Sequence, residues 1–406
     1  MKLAAAAFAA LCLAIVPAEA RTWRIEPGAN AQAALQTALI EARPGDTIRL
    51  REGRFTLDAG LSLDVDRVTI EGEGMGETIL DFTNQRQGAE GLLVTSNEVT
   101  LREFAVENAR GDAVKARDCD RITFFRIRAE WTRGPHADNG AYGLYPVSCT
   151  NVLIDESVAI GASDAGIYVG QSRNIIVRRS RAERNVAGIE IENSFNADVF
   201  ENVATQNTGG ILVFDLPGLP QMGGHSVRVF RNEIVGNNTP NFAPAGNIVA
   251  TVPAGTGLLI MANSNIHVFD NVIGENGTTN IAIAAYRETI QDANYNPLPR
   301  DVVIRNNQFG RVGFAPAGDF AGLVQMGVQL PDILWDGAET YTAAGRPRTE
   351  PVRIGIRNNR AERREVTFLS LGIPVAGSLL TEAQPNANPP VASFAEEPER
   401  VELPQD

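Results

Sequence analysis

A short pattern of apolar and polar positions recurs through the middle of the chain. An apolar anchor, usually β-branched, is followed by two mostly polar residues and then by a small polar residue, often Asn. The shortest repeats place successive anchors 22 or 23 residues apart, and longer intervals contain insertions. A fixed period of this length predicts a repeat architecture. The pattern occurs at Ile154–Ser157, Val177–Ser180, Val199–Asn202, Val229–Asn232, Val268–Asn271, Ile304–Asn307 and Ile356–Asn359.

Each repeat contains a second apolar segment, usually preceded by Gly, as in Gly166–Gly170 and Gly188–Glu192. Its apolar residues alternate with period 2, which is typical of a strand with one buried face. Units this small cannot bury a face alone, so they must stack on one another. The pattern therefore predicts a β-solenoid of roughly ten rungs, with the Asn positions stacked as an amide ladder at one bend.

The two ends of the chain differ from the repeats. Residues 1–20 combine a positive start, an apolar run and an Ala-x-Ala site, which predicts a signal peptide cleaved near Ala20 and export to the periplasm or the medium. Residues 30–42 predict a short helix that caps the coil, which extends over residues 21–380. Residues 381–406 are rich in Pro, Ala and Glu and predict a disordered tail.

Charge and composition exclude several classes of function. The formal net charge of -13 argues against nucleic acid as a partner, because phosphate binding needs a basic surface. Three His and three Cys leave little material for a His/Cys metal site. We expect no metal site and no cofactor. Calcium on Asp or Glu side chains stays open, although no ligand spacing favours it. Beyond the signal peptide, no segment is long and apolar enough to span a membrane.

Several tracts resemble the pectate-lyase-like superfamily of right-handed parallel β-helix proteins. They are the capping helix, the entry Pro44–Ile48 and the strand Val68–Gly72. The tracts Asn139–Pro146 and Asp164–Gln171 are similar to those of exported bacterial β-helix repeat proteins of unassigned function. The resemblance implies an all-β, right-handed parallel β-helix. It also implies that the protein binds or processes polysaccharide, with uronate-containing glycans favoured.

A comparison with one branch of this superfamily narrows the chemistry. Alginate C5-epimerases carry Tyr-Gly-x-Asp-Pro-His, and the matching tract here is Tyr142-Gly-Leu-Tyr-Pro-Val147. The Tyr is kept, whereas Tyr145 and Val147 stand where that motif has Asp and His. The resemblance therefore implies no epimerase chemistry of that kind.

Aligning the second strands predicts which side chains point outward. Lys115, Tyr145, Tyr168 and Glu190 fall on adjacent rungs, about 4.8 Å apart, and form a polar line. Two residues further along, Arg117 and Glu192 belong to a second outward column. Towards the C-terminal half the same columns become apolar, at Leu212, Phe214, Leu259 and Met261. Such an apolar patch is typical of a protein-docking surface.

Inserted loops flank this outward face on both edges. Trp131–Asn139 and Asn237–Gly255 precede their strands, whereas Asp215–His225 and Tyr286–Arg300 follow theirs. Loops on both edges form a trough that can hold an extended chain, because binding groups concentrate on loops. The candidate substrate-binding residues are Arg117, Asp215, Trp131 and His136.

Two kinds of catalysis fit the outward columns. In a β-elimination on a uronate, Lys115 or Arg117 neutralises the carboxylate while Tyr145 or Tyr168 transfers protons. In glycoside hydrolysis, Glu190 and Glu192 serve as an inverting pair, with Cα atoms about 6.5–7 Å apart on one face. A lyase is favoured over a hydrolase.

Two non-enzymatic interpretations stay open. Glu side chains that point outward from a strand are commonly solvated, and Tyr side chains there commonly stack on the sheet or on a sugar. Neither residue type then needs a catalytic role. In the first interpretation the protein is a non-catalytic scaffold that binds glycan or a protein partner. The second interpretation, an accessory factor for a redox or metal system, is disfavoured by the few Cys and His residues.

The two cysteines of the repeat region occupy one phase. Cys119 and Cys149 each lie five residues before an anchor, on adjacent rungs. Their Cα atoms should be about 5 Å apart, which is within the range of a disulfide. Because export permits oxidation, we predict a structural bridge or a buried thiol pair.

Overall fold

The computed structural model describes residues 20–372 and 395–404. The chain winds as a coil of parallel strands in which each rung contributes one strand to a front sheet and the following strands to a back sheet. Residues 1–19 of the predicted signal peptide lie outside the described residues, as do residues 381–394 and 405–406 of the predicted tail.

The front sheet has 11 strands in the described part of the chain, and all its pairings are parallel. Its strands are β4 (Ala59–Leu63), β7 (Gln87–Val94), β9 (Val114–Arg117), β11 (Tyr142–Val147), β14 (Ala165–Gly170), β17 (Ala187–Glu192), β20 (Gly209–Phe214), β23 (Thr256–Met261), β26 (Thr279–Ala284), β29 (Ile333–Trp335) and β34 (Phe368–Ser370).

The back sheet has 21 strands among the described residues and consists of two stacks that meet at a bend. The first stack contains β1 (Thr22–Ile25), β2 (Thr47–Leu50), β5 (Thr69–Glu71), β8 (Val99–Glu107), β10 (Asp120–Glu130), β12 (Thr150–Asp155), β15 (Arg173–Arg178), β18 (Phe195–Phe200), β21 (His225–Phe230), β24 (Ser264–Phe269), β27 (Arg300–Arg305) and β32 (Ile354–Arg357). The second contains β3 (Gly53–Thr56), β6 (Thr78–Asp81), β13 (Val158–Ile160), β16 (Arg181–Glu183), β19 (Val203–Thr205), β22 (Glu233–Val235), β25 (Val272–Gly274), β28 (Gln308–Phe309) and β33 (Arg360–Ala361).

The interior of the coil is filled by the apolar anchors and by the inward residues of the front strands. Ile167, Ile189 and Ile211 stack on successive front strands and are fully buried, and Val177 and Val199 do the same on the back sheet. Each such side chain contributes about 1.5–3 kcal/mol by leaving water. Because these contributions come from neighbouring rungs, the stacking predicted from the period is what holds the fold together.

Two ladders of buried asparagines run along the bends of the back sheet. In the ladder predicted from the sequence, each amide nitrogen donates to the side-chain oxygen of the next rung at 2.9–3.0 Å. A second ladder, which the sequence pattern did not reveal, runs along the bend that leads to the front sheet. The first contains Asn202, Asn232, Asn271, Asn307 and Asn359; the second contains Asn185, Asn207, Asn237 and Asn276.

A helix and a disulfide fix the N-terminal part of the coil. The capping helix α1 (Ala31–Glu41) lies within the predicted range and buries Leu35, Ala38 and Leu39 against the first rungs. Cys119 and Cys149 form a disulfide between adjacent rungs, with Cα atoms 4.5 Å apart. A second helix, α2 (Asp319–Gln325), and an antiparallel hairpin of β30 (Thr340–Ala343) and β31 (Arg346–Thr349) lie in insertions near the other end.

Residues 395–404, within the range for which the sequence predicts disorder, lie against the outer side of the back sheet. Val401 is buried on a column of stacked rings formed by Phe200, Phe230 and Phe269. The carboxylate of Glu397 pairs with Arg228 at 3.3 Å and with Arg305 at 2.5 Å. The terminal segment therefore covers an apolar surface of the back sheet. None of the helices in the described ranges is long and apolar enough to cross a membrane.

Candidate functional site

The outer side of the front sheet has the register that the sequence predicts. Lys115 pairs with Tyr145 and Tyr168 pairs with Glu190, and the column continues to Leu212, Leu259 and Ala282. The second column holds Arg117, Val147, Gly170, Glu192, Phe214, Met261 and Ala284. These side chains lie on one face, so the predicted groove residues of the strands are neighbours in space.

The four predicted loops leave the coil at the two edges of the front sheet. Residues 131–141 and 236–255 connect the back sheet to a front strand, and residues 215–224 and 285–299 connect a front strand to the back sheet. The loop of residues 237–255, called the covering loop from here on, folds over the front sheet. Its Val249 and Val252 pack against Leu212 and Phe214.

Three tyrosines form a cluster on this face. The rings of Tyr142, Tyr145 and Tyr168 have centroids 4.4–4.8 Å apart, and the ammonium of Lys115 lies 4.6 Å from the Tyr145 centroid. The Tyr168 side chain extends over Gly170, where a Cβ atom would collide with its hydroxyl. Burial raises the pKa of all three phenols, so they are neutral hydroxyl groups at physiological pH.

Glu190 is an outward strand residue that is nevertheless 1% exposed. Neither carboxyl oxygen has a hydrogen-bond partner among the described residues. Burial, followed by the negative charges of Asp164 and Glu192, raises its pKa well above the ordinary glutamate value. Burial therefore favours the protonated, neutral form of Glu190, and its interpretation as solvated surface is wrong.

Two further carboxyl groups share this environment. Burial raises the pKa of Glu192 to about 7, although a hydrogen bond from the Tyr168 hydroxyl lowers this pKa. Burial likewise raises the pKa of Asp164 to about 7, although the Tyr142 hydroxyl at 3.4 Å and the Asn247 amide at 3.2 Å both donate to it. These three carboxyl groups, Asp164, Glu190 and Glu192, are called the carboxyl cluster. Groups with a pKa near 7 can exchange protons at physiological pH.

The predicted cationic and acidic neighbours lie at the margins of the cluster. Lys115 contacts Asp112 at 3.4 Å and Glu90 at 3.7 Å, so its charge already has carboxylate partners. Arg117 is half-exposed beside Asp118. Asp215 is buried, accepts a hydrogen bond from the Gly224 backbone at 2.8 Å, and has a pKa raised to about 6 by burial.

Two of the predicted substrate-binding residues do not belong to this site. Trp131 lies in the interior of the coil, where its indole nitrogen donates to the Ala109 carbonyl at 2.7 Å. The apolar ring fills the core at the start of its loop, which corrects the expectation that it faces the trough. His136 is exposed, and its ring accepts a hydrogen bond from the Asp138 backbone within its own loop.

The apolar patch is divided by the covering loop. Leu212 and Phe214 are buried beneath it, which corrects the expectation that they are exposed for docking. Leu259 and Met261 instead line a cavity of about 860 Å³ between the covering loop and helix α2. Other lining residues include Ile248, Ala284, Phe320, Leu323 and Leu334.

Sequence inspection missed three members of the site. Tyr142 is the first residue of its front strand and Asp164 immediately precedes the next front strand, so both lie outside the two aligned columns. They stand in the tracts Asn139–Pro146 and Asp164–Gln171, whose resemblance to β-helix repeat proteins was the available signal. Asn247 comes from an insertion without periodicity, so nothing in the sequence placed it against Asp164.

In the described ranges, no three His, Cys, Asp or Glu side chains lie close enough together to hold a metal ion. The carboxyl cluster contains only acidic and neutral groups. Its chemical capacity is therefore proton transfer and hydrogen bonding by carboxyl and phenol groups.

Comparison with known proteins identifies the fold. Residues 58–219 match the family model described as a right-handed β-helix region. The chain is a right-handed parallel β-helix protein, as its repeats and its resemblance predict. A search of the curated proteins finds no match.

Solved structures with this fold share little sequence with the chain. The A-module of Azotobacter vinelandii mannuronan C-5 epimerase AlgE4 has 15% identity and a TM-score of 0.55, over 83% of this chain and 92% of that one. DFA-IIIase from Arthrobacter chlorophenolicus A6 has 13% identity and a TM-score of 0.50, over 83% and 99%. The N-terminal fragment of gene product 12 from bacteriophage Phi29 has 14% identity and a TM-score of 0.50, over 83% and 60%.

Proposed function

We propose that the protein binds an extended glycan in the trough on the front sheet and hydrolyses a glycosidic bond there. The observation that carries this proposal is the buried carboxyl group of Glu190, whose pKa is raised well above the ordinary value, beside Glu192, whose pKa is raised to about 7. One of the solved structures with the same fold is, by name, a module of a mannuronan C-5 epimerase.

The roles of the two glutamates follow from their pKa values. Glu190, whose raised pKa favours the protonated form, donates a proton to the leaving glycosidic oxygen. Glu192 is partly ionised near pH 7 and, oriented by the Tyr168 hydroxyl, accepts a proton from the attacking water. The bond from the anomeric carbon to the leaving oxygen breaks as its bond to the water oxygen forms. Glu190 loses one proton to the leaving group, and Glu192 gains one from the water.

The same contacts argue against a uronate lyase. The charge of Lys115 is neutralised by Asp112 and Glu90, which leaves it poorly placed to neutralise a substrate carboxylate. The raised pKa values of the tyrosines make them poor bases at neutral pH. A trough rich in carboxyl groups also repels a polyanion.

A non-catalytic scaffold is the second candidate, because the covering loop packs over the cluster and the apolar cavity lies next to it. In that case the trough binds glycan, or the cavity binds a protein partner, without turnover. Acidic side chains line the trough and are the ligands that calcium prefers, so the experiment is carried out with and without calcium.

The test incubates the purified protein with neutral, amino and uronate oligosaccharides, with and without calcium. We expect new reducing ends without unsaturated uronate ends. Glu190→Gln and Glu192→Gln should each lower the rate about 100-fold or more. Glu201→Gln, on the back sheet, is the matched control and should leave the rate unchanged. Unsaturated ends would instead establish a lyase, and binding without any product would establish the scaffold.

A further inference from the structure

The carboxyl cluster lacks a cation, whereas several other buried acids of the coil form ion pairs with arginine. Asp155 pairs with Arg178 and Arg179, Asp198 pairs with Arg228, and Asp332 pairs with Arg364. By contrast, the groups acting on Asp164, Glu190 and Glu192 are carboxyls, the phenols of Tyr142 and Tyr168, and one amide. A buried acidic group without a counter-charge is costly for the fold.

Two observations show that strong hydrogen-bond donors are missing around the carboxyl cluster. Glu190 is fully buried, and both its oxygens lack a partner among the described residues. Asp164 is instead satisfied by weak neutral donors, the Tyr142 hydroxyl and the amide of Asn247 on the covering loop. An N–H group of the covering loop therefore occupies the position at which a ligand can donate to Asp164.

We infer that Asp164 is the subsite for a positively charged amino group, and that the ligand is a glycan containing amino sugars with free ammonium groups. This inference rests on the proposed glycan function of the same trough. The ammonium donates to the Asp164 carboxylate in place of the Asn247 amide, and the neighbouring tyrosine rings favour a cation next to them. Glu190 and Glu192 then keep their roles as proton donor and acceptor.

The ammonium also accounts for the arrangement of charges along the trough. Lys115 is tied to Asp112 and Glu90 at one end, and Arg300 acts on Asp215 at the other. Between them lies the carboxyl cluster. A glycan bearing carboxylates would add negative charge there, whereas an amino sugar supplies the missing positive charge.

The test measures calorimetric binding of a glucosamine oligosaccharide, its fully N-acetylated form of equal length, and an oligomannuronate. We expect the free amine to bind about 10-fold or more tightly than the acetylated form, the margin of one charge-assisted hydrogen bond, and the uronate to bind least. Asp164→Asn should abolish the preference for the amine. Asp112→Asn, whose carboxyl has Lys115 as its own partner, should retain it.

A second measurement uses the wild-type protein alone and so does not depend on the folding of a variant. Pairing with an ammonium fully ionises Asp164, whose pKa in the free protein is about 7. At pH 5.5 the amine is already charged and Asp164 is mostly protonated, so binding should release about one proton, seen as different heats in buffers of different ionisation enthalpy. The acetylated chain should release none.

The outcomes separate this inference from the proposed hydrolysis. Equal or tighter binding of the acetylated chain, or binding of the amine without proton release, overturns the amino-sugar subsite, even if Glu190-dependent cleavage is observed. Preference for the amine without cleavage retains the subsite and overturns the hydrolysis. Spermidine carries ammonium groups without a sugar. If spermidine binds as tightly as the glucosamine chain, the ligand of the subsite is a polyamine and not a glycan.

Discussion

Individual carboxyl groups in this protein fall into two populations that differ in their surroundings. Asp155 accepts hydrogen bonds from two guanidinium groups, and these hold its pKa below the ordinary value against the opposing effect of burial. Glu190 and Glu192 are buried without a cation, and their pKa values are raised. The same residue type thus stabilises the coil in one place and, by our proposal, serves chemistry in another.

Glu192→Gln should stabilise the protein at alkaline pH. A folded-state pKa of about 7, above the ordinary glutamate value, means that the stability of the protonated form is present at pH 4 and is lost as the pH rises through 7. The substitution keeps the side chain neutral, so the unfolding free energy at pH 8 should rise by about 2 kcal/mol. Urea unfolding at pH 4.5 and 8 provides the measurement.

Glu201→Gln, which removes a carboxylate from the exposed surface of the back sheet, serves as the control for that experiment. A gain in the Glu192 variant that is equal at both pH values would show that the carboxyl group is not held neutral by its surroundings. A loss at pH 8 would show the same.

At the scale of elements, the bends of the coil depend on side chains as much as on backbone pairing. Asn232 accepts hydrogen bonds from the backbone and the amide of Asn202, and its own amide donates to Val199 and Asn271. Each rung therefore satisfies buried polar groups of the rungs before and after it. An unsatisfied amide in the middle of this network would leave several buried groups without partners.

Asn232→Ala should destabilise the coil by about 3 kcal/mol, because it leaves buried donors and acceptors of two rungs unpaired. The midpoint of urea unfolding should fall accordingly. Asn84→Ala, at an exposed turn near the N-terminal end, should change the unfolding free energy by less than about 0.5 kcal/mol. Equal effects of the two substitutions would mean that the ladder adds no stability.

How far the sequence predicts each element depends on whether the element repeats. The front strands, their register and the Asn202 ladder follow from positions that recur every rung. Trp131 was misassigned because it opens an insertion, where periodicity gives no inward or outward phase. The burial of Glu190 was also missed, because the covering loop that packs on its neighbour Leu212 follows a path with no periodic signal.

On the scale of the whole molecule, the terminal segment joins distant parts of the chain. Glu397 bridges Arg228 and Arg305, and the Val401 backbone donates to Asp198 at 3.1 Å. Composition alone predicts disorder for this range, because few of its residues are apolar. The partner surface, a column of Phe rings and Arg side chains, is formed only when three rungs are stacked.

Deleting residues 395–406 should raise the pKa of His267, which burial lowers to about 4. Because the folded-state pKa lies below the ordinary value of 6.5, the intact protein loses stability as the pH falls from 6.5 to 4. The deletion also removes Glu397 and the backbone of Glu396, which both raise this pKa, but burial is the largest cause of the shift. Because hydration of the ring outweighs their loss, its titration by NMR should shift towards 6.5 and the loss of stability at acidic pH should shrink. The resonance of His136, on an exposed loop, is the reference. A His267 midpoint that stays near 4 would assign its burial to the coil rather than to the segment.

Most residues of the insertions near the trough lie at the edges of the front sheet, outside the rungs, whereas Trp131, Asn237 and Tyr295 reach the core or an asparagine ladder. Mutation can therefore lengthen, replace or recombine the other loop residues without disturbing the interactions that keep the coil folded. In evolutionary terms the rungs are conservative and the loops are free to diversify. Grafting new covering loops onto an unchanged coil is then a direct route to new ligand specificities.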